Sequence, residues 1–274
     1  MSEPRAVLDA DVLALAGDWH GATTKAVVAI ERLARLSEER SWGLRWICHL
    51  GDFGLWPGNV GARYLNVIDE ALERHGLGLL VTPGNHEWWA FLREAFAASD
   101  YAEPVMVRPR IAFLPPGYRF DVTTSSGATR SVLSVGGAPS IDLDLRVEGA
   151  DWWPGEAITD EDVDRAVTGG SVDVLLAHDA PDDSTAAVRH IIARPSGWSR
   201  KGLTYAAAGR AQLNRVCAEV RPKFYAHGHY HVHDVEQRGQ TLYVSLDCEG
   251  RPGNLMLLDV EALTVAPVPR HEGK

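Results

Sequence analysis

Short apolar runs alternate with amphipathic stretches along most of the chain, the rhythm of an α/β protein. Val12–Ala16 predicts a strand. Thr23 or Thr24 is then expected to cap a helix running to about Arg40, with Val27, Ile30, Leu33 and Ala34 on its apolar face. Trp46–Leu50 predicts a second strand, followed by a Gly/Pro loop and a helix near Ala62–Arg74. Leu77–Val81 reads as a third strand and Trp88–Ala97 as a further helix. The pattern then changes: Ile111–Leu114, Tyr118–Val122 and Ser131–Val135 read as short antiparallel strands, the last two joined around Ser126-Gly127. A helix at Asp160–Val167 and a strand at Val172–Ala177 resume the alternation. Helices near Ser184–Ile192 and Tyr205–Val220 precede a strand at Lys223–Ala226. Val232–Gln237, Gln240–Leu246, Leu255–Val260 and Leu263–Val265 close the series as short strands. No linker, repeat or low-complexity tract interrupts it, so residues 1–274 read as one domain.

Composition narrows the function classes. With 274 residues and 45% apolar content, the chain can bury a large core. No apolar run approaches the length of a membrane span, and residues 1–10 lack the basic start and apolar block of a signal peptide, so a cytoplasmic address is expected. Cys48, Cys217 and Cys248 are scattered and odd in number, which favours buried thiols over a disulfide framework. The net charge of −10 argues against an extended nucleic-acid grip. It leaves a small phosphorylated substrate open, because bound divalent ions would dominate the local field.

The chemistry concentrates where apolar runs end. Gly17-Asp18-Trp19-His20, Gly51-Asp52, Gly84-Asn85-His86-Glu87, His178 and His227-Gly228-His229 each follow a predicted strand. Sites in α/β sheets form at the carboxyl ends of strands. Carboxylate and amide oxygens with imidazole nitrogens suit Mn, Fe or Zn. Each cluster alone has an ordinary reading as a turn or a hydrogen-bonded histidine. Their ordered recurrence does not.

In that order, D-x-H, G-D, G-N-H-E, a lone His and G-H-x-H, the motifs resemble those of the calcineurin-like metallophosphoesterases, with Ala226 in place of the first Gly of the last motif. The resemblance implies two packed mixed β-sheets flanked by helices and two divalent metal ions, Mn foremost, with Fe and Zn as alternatives. It assigns Asp18, His20 and His229 to the first ion, and Asn85, His178 and His227 to the second. Asp52 bridges both, and His86 is the general acid. A hydroxide shared by the ions would attack phosphorus while Asn85 and the metals hold the phosphoryl oxygens. Asp179 or Glu87 could orient a ligand from behind.

Other residues refine the expectation. His231 and His233 alternate with His229 and could mimic further ligands, but read rather as solvent-facing or hydrogen-bonded, and His49 reads as packed in its strand. Trp19, Phe53, Trp56, Trp88 and Trp89 either stack a nucleobase or pack the ligand loops. The segment from Ser140 to Glu156 either lines the cleft or forms a Trp-anchored surface loop, and Trp198-Ser199-Arg200-Lys201 could touch a phosphate. Pro83 precedes Gly84, and Phe-Gly-Leu-Trp-Pro-Gly follows Asp52, so the arginines of the related protein Ser/Thr phosphatases are missing. This favours a phosphodiesterase or nucleotide-directed hydrolase of small molecules. A phosphomonoesterase, a protein phosphatase or a non-catalytic scaffold of the same fold remain the alternatives.

Overall fold

Every predicted strand forms, and the strands divide between two sheets of seven. The computed structural model describes residues 5–269. One sheet has the order β14 (Thr264–Pro267), β13 (Leu255–Asp259), β2 (Val12–Ala16), β3 (Trp46–His49), β4 (Gly78–Val81), β6 (Ile111–Phe113) and β5 (Val105–Arg108). The other has the order β1 (Ala6–Asp9), β7 (Tyr118–Thr123), β8 (Thr129–Val135), β9 (Val174–Ala177), β10 (Phe224–His227), β12 (Thr241–Ser245) and β11 (Asp234–Arg238). Both are mixed. β2, β3, β4 and β6 run parallel, as do β8, β9, β10 and β12, and the remaining neighbours are antiparallel except for the parallel pair β1–β7.

The central strands are apolar on both faces because both faces are covered. Leu13 and Leu15 of β2 join Val174 and Leu176 of β9, Phe224, Val244 and Leu258 in the layer between the sheets. Ala14 and Ala16 point the other way, against Ala26, Ile30 and Leu33 of α1 (Thr23–Arg40) and Leu65 and Ile68 of α2 (Gly58–Arg74). On the far side, Leu175 and Ala177 meet Val163 of α4 (Asp160–Thr168) and Leu213 and Val216 of α6 (Arg200–Val220). The result is helix, sheet, sheet, helix. Burying each Leu or Val of the middle layer contributes roughly 1.5–3 kcal/mol, and truncating Leu15 to Ala would cost about 2–5 kcal/mol.

The differences from expectation are local. Ile111–Phe113 is no partner of β7; it enters the other sheet, parallel to β4. β1 and β5 are short edge strands whose side chains are mostly exposed or half-buried, so no apolar run announces them. Neither Thr23 nor Thr24 caps α1: both lie inside it, and Ala22 at the cap position offers no side-chain bond. α2 begins at Gly58, straight after Pro57, and α6 at Arg200, where the Ser199 hydroxyl accepts from the Gly202 N–H at 2.9 Å. The remaining helices are α3 (Trp89–Ala97) and α5 (Ala186–Ala193). Among the described residues no helix is long and apolar enough to cross a membrane.

Candidate metal centre

Three loops leave the carboxyl ends of β2, β3 and β4, and they are tied to one another before any ligand is considered. The N–H groups of Trp19 and His20 donate to the Asp52 carbonyl at 3.0 and 2.7 Å. The His86 N–H donates to Asp52 Oδ1 at 2.9 Å. The buried Glu87 carboxylate accepts from the N–H groups of Asp52 (3.1 Å), Phe53 (2.8 Å), Gly54 (3.1 Å) and Gly84. Burial, with Asp52 close by, still pushes the Glu87 carboxyl up to about 7. Gly84 is required by packing, since a Cβ there would lie 2.3 Å from Asp52 Oδ1. Glu87 thus braces two loops and touches no imidazole.

The opposite sheet supplies imidazoles. His178 follows β9, and its Nδ1 donates to the Leu50 carbonyl at 2.6 Å, which leaves Nε2 facing the site. That Nε2 lies 3.0 Å from Asn85 Oδ1, 3.2 Å from His229 Nδ1 and 3.3 Å from Asp52 Oδ1. Beside this group, His231 Nε2 is 2.9 Å from Asp18 Oδ2, and His20 Nε2 is 3.6 Å from Asp52 Oδ2. Asp18, His20, Asp52 and His231 offer ligand atoms all within 4.8 Å of one another, and so do Asp52, His178 and His229. Asp52 belongs to both groups.

The donor set fits cations. One Nε2 proton on His178 can satisfy one of its three neighbours; the others are lone pairs aimed at lone pairs, an arrangement that a positive ion relieves. His20 and His178 have their outward nitrogens occupied, by Glu249 Oε2 at 3.0 Å and by Leu50, as metal-bound imidazoles generally do. Without ions, protons play the cationic part. Burial opposes charge on His178, yet Asp52 and Asp18 overcome it and raise the ring to about 10. His20 rises against burial to about 9 through Asp52, Asp18 and Glu249. Burial, offset by these same rings, leaves Asp52 well below the usual carboxylate range.

His227 stands apart. It ends β10, buried, with Nε2 2.8 Å from Ser184 Oγ and Nδ1 2.9 Å from the Gly228 carbonyl, and it joins neither group. Of the histidines expected of the last motif, His229 joins these groups and His227 does not, while His231, not expected as a ligand, does. Strand alternation does not carry past His227, because His229 and His231 sit at φ 67° and 49°, left-handed turns that redirect their rings. The His229 N–H donates to the Asp18 carboxylate at 3.1 Å, and a Cβ on Gly228 would lie 2.1 Å from Asp18 Oδ1. His20 and Asp52 are also left-handed, at φ 44° and 53°.

The model for calcineurin-like phosphoesterases matches residues 12–233. The chain belongs to that family. It is therefore a metal-dependent hydrolase of phosphoric esters, in a family that uses two metal ions. No curated protein matches its sequence. Among solved structures, a protein assigned as a 5'-nucleotidase from Staphylococcus aureus is 15% identical with a TM-score of 0.52, over 95% of this chain and 55% of that one. A sulfate thiohydrolase from Thermus thermophilus is 13% identical with a TM-score of 0.50, over 98% and 58%. At these identities the likeness is one of fold.

Around the phosphoesterase's metal centre, a cavity of about 350 Å³ is lined by Asp52, Asn85, His86, Arg146, Arg210 and Trp198, among others. The segment from Ser140 to Glu156 does line the cleft. Ser140 Oγ accepts from Asn85 Nδ2 at 3.0 Å and donates to Glu156 Oε2 at 2.8 Å, which keeps the amide oxygen turned towards His178. Arg146 is gripped by Asp142 through Nε (2.6 Å) and Nη2 (2.8 Å). Its two terminal nitrogens each lie 3.0 Å from one ring nitrogen of His86, the geometry of two stacked planes. Burial lowers the His86 pKa and Arg146 adds to this, against the pull of Asp52.

The aromatic residues beside the motifs are engaged within the protein. Trp19, Phe53 and Trp89 are fully buried, Trp56 Nε1 donates to the His86 carbonyl at 3.1 Å, and Trp88 stacks on Phe91. His49 is buried against Trp19 and Phe53, as expected. Asp179 accepts from Tyr230 Oη at 2.9 Å rather than from an imidazole. The residues that sequence reasoning missed are Glu249, Arg146 and Arg210, isolated in the chain, and it read His231 as solvent-facing or hydrogen-bonded rather than as a ligand. Only His231 left a signal: Gly228-His229-Tyr230-His231 is a G-H-x-H without mismatch.

Proposed function

We propose that the protein hydrolyses phosphodiesters of small molecules, nucleotides foremost, at a two-ion centre preferring Mn. Asp18, His20, Asp52 and His231 would hold one ion, and Asp52, Asn85, His178 and His229 the other. The observation that carries this reading is the sharing of Asp52 by two converging groups of lone pairs. Such ions, when bound, supply charge for the phosphoryl oxygens and make a nearby water acidic enough to attack phosphorus. Asn85, its amide fixed by Ser140, would hold the second ion through its oxygen and stand beside the phosphoryl group. His86 reaches into the cleft on the side of Asp52 (Nε2 to Oδ2, 3.8 Å) and protonates the departing alkoxide. Its lowered pKa makes the charged ring a ready donor, and an arriving anionic ester favours that charge. Arg146 keeps the ring from rotating and faces the same space.

The diester preference rests on charge. Both guanidiniums that line the cavity are already paired with carboxylates, Arg146 with Asp142 and Arg210 with Asp182, so they offer a dianionic monoester less charge than a free paired clamp would. A panel of bis-nitrophenyl phosphate, nitrophenyl phosphate and an alkyl nucleotide ester tests this with Mn-loaded protein. Turnover abolished by chelation and favouring the diester is expected. Metal-independent turnover, or monoesters favoured tenfold, would overturn the reading. His86→Asn should slow alkyl esters about 10²-fold or more and nitrophenyl esters far less; equal slowing would remove His86 from the role of acid.

A further inference from the structure

The catalytic cavity does not end at Arg210. A second cavity of about 280 Å³ continues from it, and Ile141, Ile191, Trp198, Arg210 and Tyr230 line both. The far chamber carries no carboxylate in its lining, so it offers a cation nothing, while its aliphatic and aromatic walls suit a flat apolar group and Arg194 and Arg210 suit an anionic link. Trp198 stands out in the sequence. Of nine tryptophans it alone is exposed, at 44%, while the other eight are buried or half-buried. Ile191 beside it is 41% exposed. An indole left in water at the mouth of a cleft keeps a large apolar face for something that arrives. Between the chambers, the Arg210 guanidinium is largely covered and oriented by Asp182, its Nε 2.8 Å from Oδ1. Asp182 is itself held by Asn214 Nδ2 at 2.7 Å. A fixed guanidinium beside an indole, next to a phosphoester centre, matches an aromatic ring tethered to an anionic ester.

We propose that the second chamber is a base-binding subsite: a nucleobase of the substrate stacks on Trp198 while Arg210 engages the phosphate charge that links the base to the reacting centre. This rests on the phosphoesterase reading of the metal centre and names the group that the enzyme selects. The scissile phosphorus sits over Asp52 and Asn85, the nucleoside extends past Arg210, and the leaving alcohol departs on the side of His86. A base is favoured over an extended acyl chain because the lining offers one exposed aromatic plane between two aliphatic walls, and the adjoining guanidinium matches a nearby anionic link.

Two esters with the same leaving group isolate the subsite: thymidine 5'-(4-nitrophenyl phosphate) and methyl 4-nitrophenyl phosphate. Both release nitrophenolate, so the chemical step is matched. The wild-type Mn-loaded protein should prefer the thymidyl ester in kcat/KM. Trp198→Ala should lower that preference about 5- to 100-fold, mainly through KM, the range of one base stacked on an aromatic ring. Trp198→Phe should restore most of it. Arg210→Gln should lower it as well, while thermal unfolding confirms that the variants stay folded. Equilibrium binding of thymidine 5'-phosphate against methyl phosphate, followed by calorimetry, gives the same answer without turnover. A thymidyl preference that is absent, or that survives Trp198→Ala in both assays, would overturn the subsite. Absence of metal-dependent turnover with intact selective binding would instead count against the phosphoesterase mechanism and leave the subsite standing.

Discussion

The two sheets contribute unequally to the centre between them. From the sheet of β2, β3 and β4 come both carboxylates, the amide, His20 and His86, on loops that are cross-tied by Glu87 and by backbone bonds to Asp52. From the sheet of β9 and β10 come His178, His229 and His231, and their fixing bonds run across to the first sheet, to Leu50 and Asp18. One half is a preassembled, negatively charged frame. The other is a set of imidazoles hung on that frame. The frame concentrates negative charge at a cost to folding, and the imidazoles, as acceptors for ions or carriers of protons, offset that cost.

This difference can be broken at its strongest point by Asp52→Asn, which removes the group common to both halves. The expected loss in kcat is about 10³-fold or more, on the scale of losing several kcal/mol of metal-assisted stabilisation. A loss below tenfold would mean that the halves do not share a bridging carboxylate. Next in size is the brace. Glu87→Ala leaves buried backbone N–H groups without partners, each costing about 1–3 kcal/mol, and should lower unfolding free energy by about 3–6 kcal/mol in denaturant titrations. His229→Ala should cost the metal-free fold far less. Similar losses for both would contradict the division into frame and hung imidazoles.

Legibility in the sequence followed the same division. Asp18, His20, Asp52, Asn85 and His86 sit within a few residues of strand ends, where an apolar run followed by a polar cluster fixes their place. His178, directly after β9, was equally plain. His227 misled because the last motif was read two residues early, with Ala226 in the place of its first Gly. β10 stops at His227, and the left-handed His229 and His231 are the histidines beyond it that join the two groups of donors. Glu249, Arg146 and Arg210 reach the site from distant segments as single residues, and no spacing rule marks such residues. The edge strands β1 and β5 escaped because exposed strands lack an apolar signature.

A gentler probe is pH. With folded values near 10 for His178 and 9 for His20, both above the ordinary 6.5, the metal-free protein draws stability from these rings below about pH 6.5 and loses it as pH rises through 9 to 10. Glu87, raised from 4.5 to about 7, acts in the same direction, its stabilising share fading between those values. Ion binding must displace the imidazole protons, so metal affinity should climb over the same range. Melting temperatures with Mn and with chelator, measured from pH 6 to 9.5, should diverge as pH rises. Parallel curves would mean that ions and protons do not compete for these rings.

Metal content of wild-type, His231→Ala and His227→Ala protein, determined by plasma mass spectrometry after Mn loading and gel filtration, tests the architecture of the centre most directly. Two ions per chain are expected in the wild type and in His227→Ala, and one in His231→Ala. Two ions retained by His231→Ala and one lost by His227→Ala would contradict the assignment of the centre to His229 and His231.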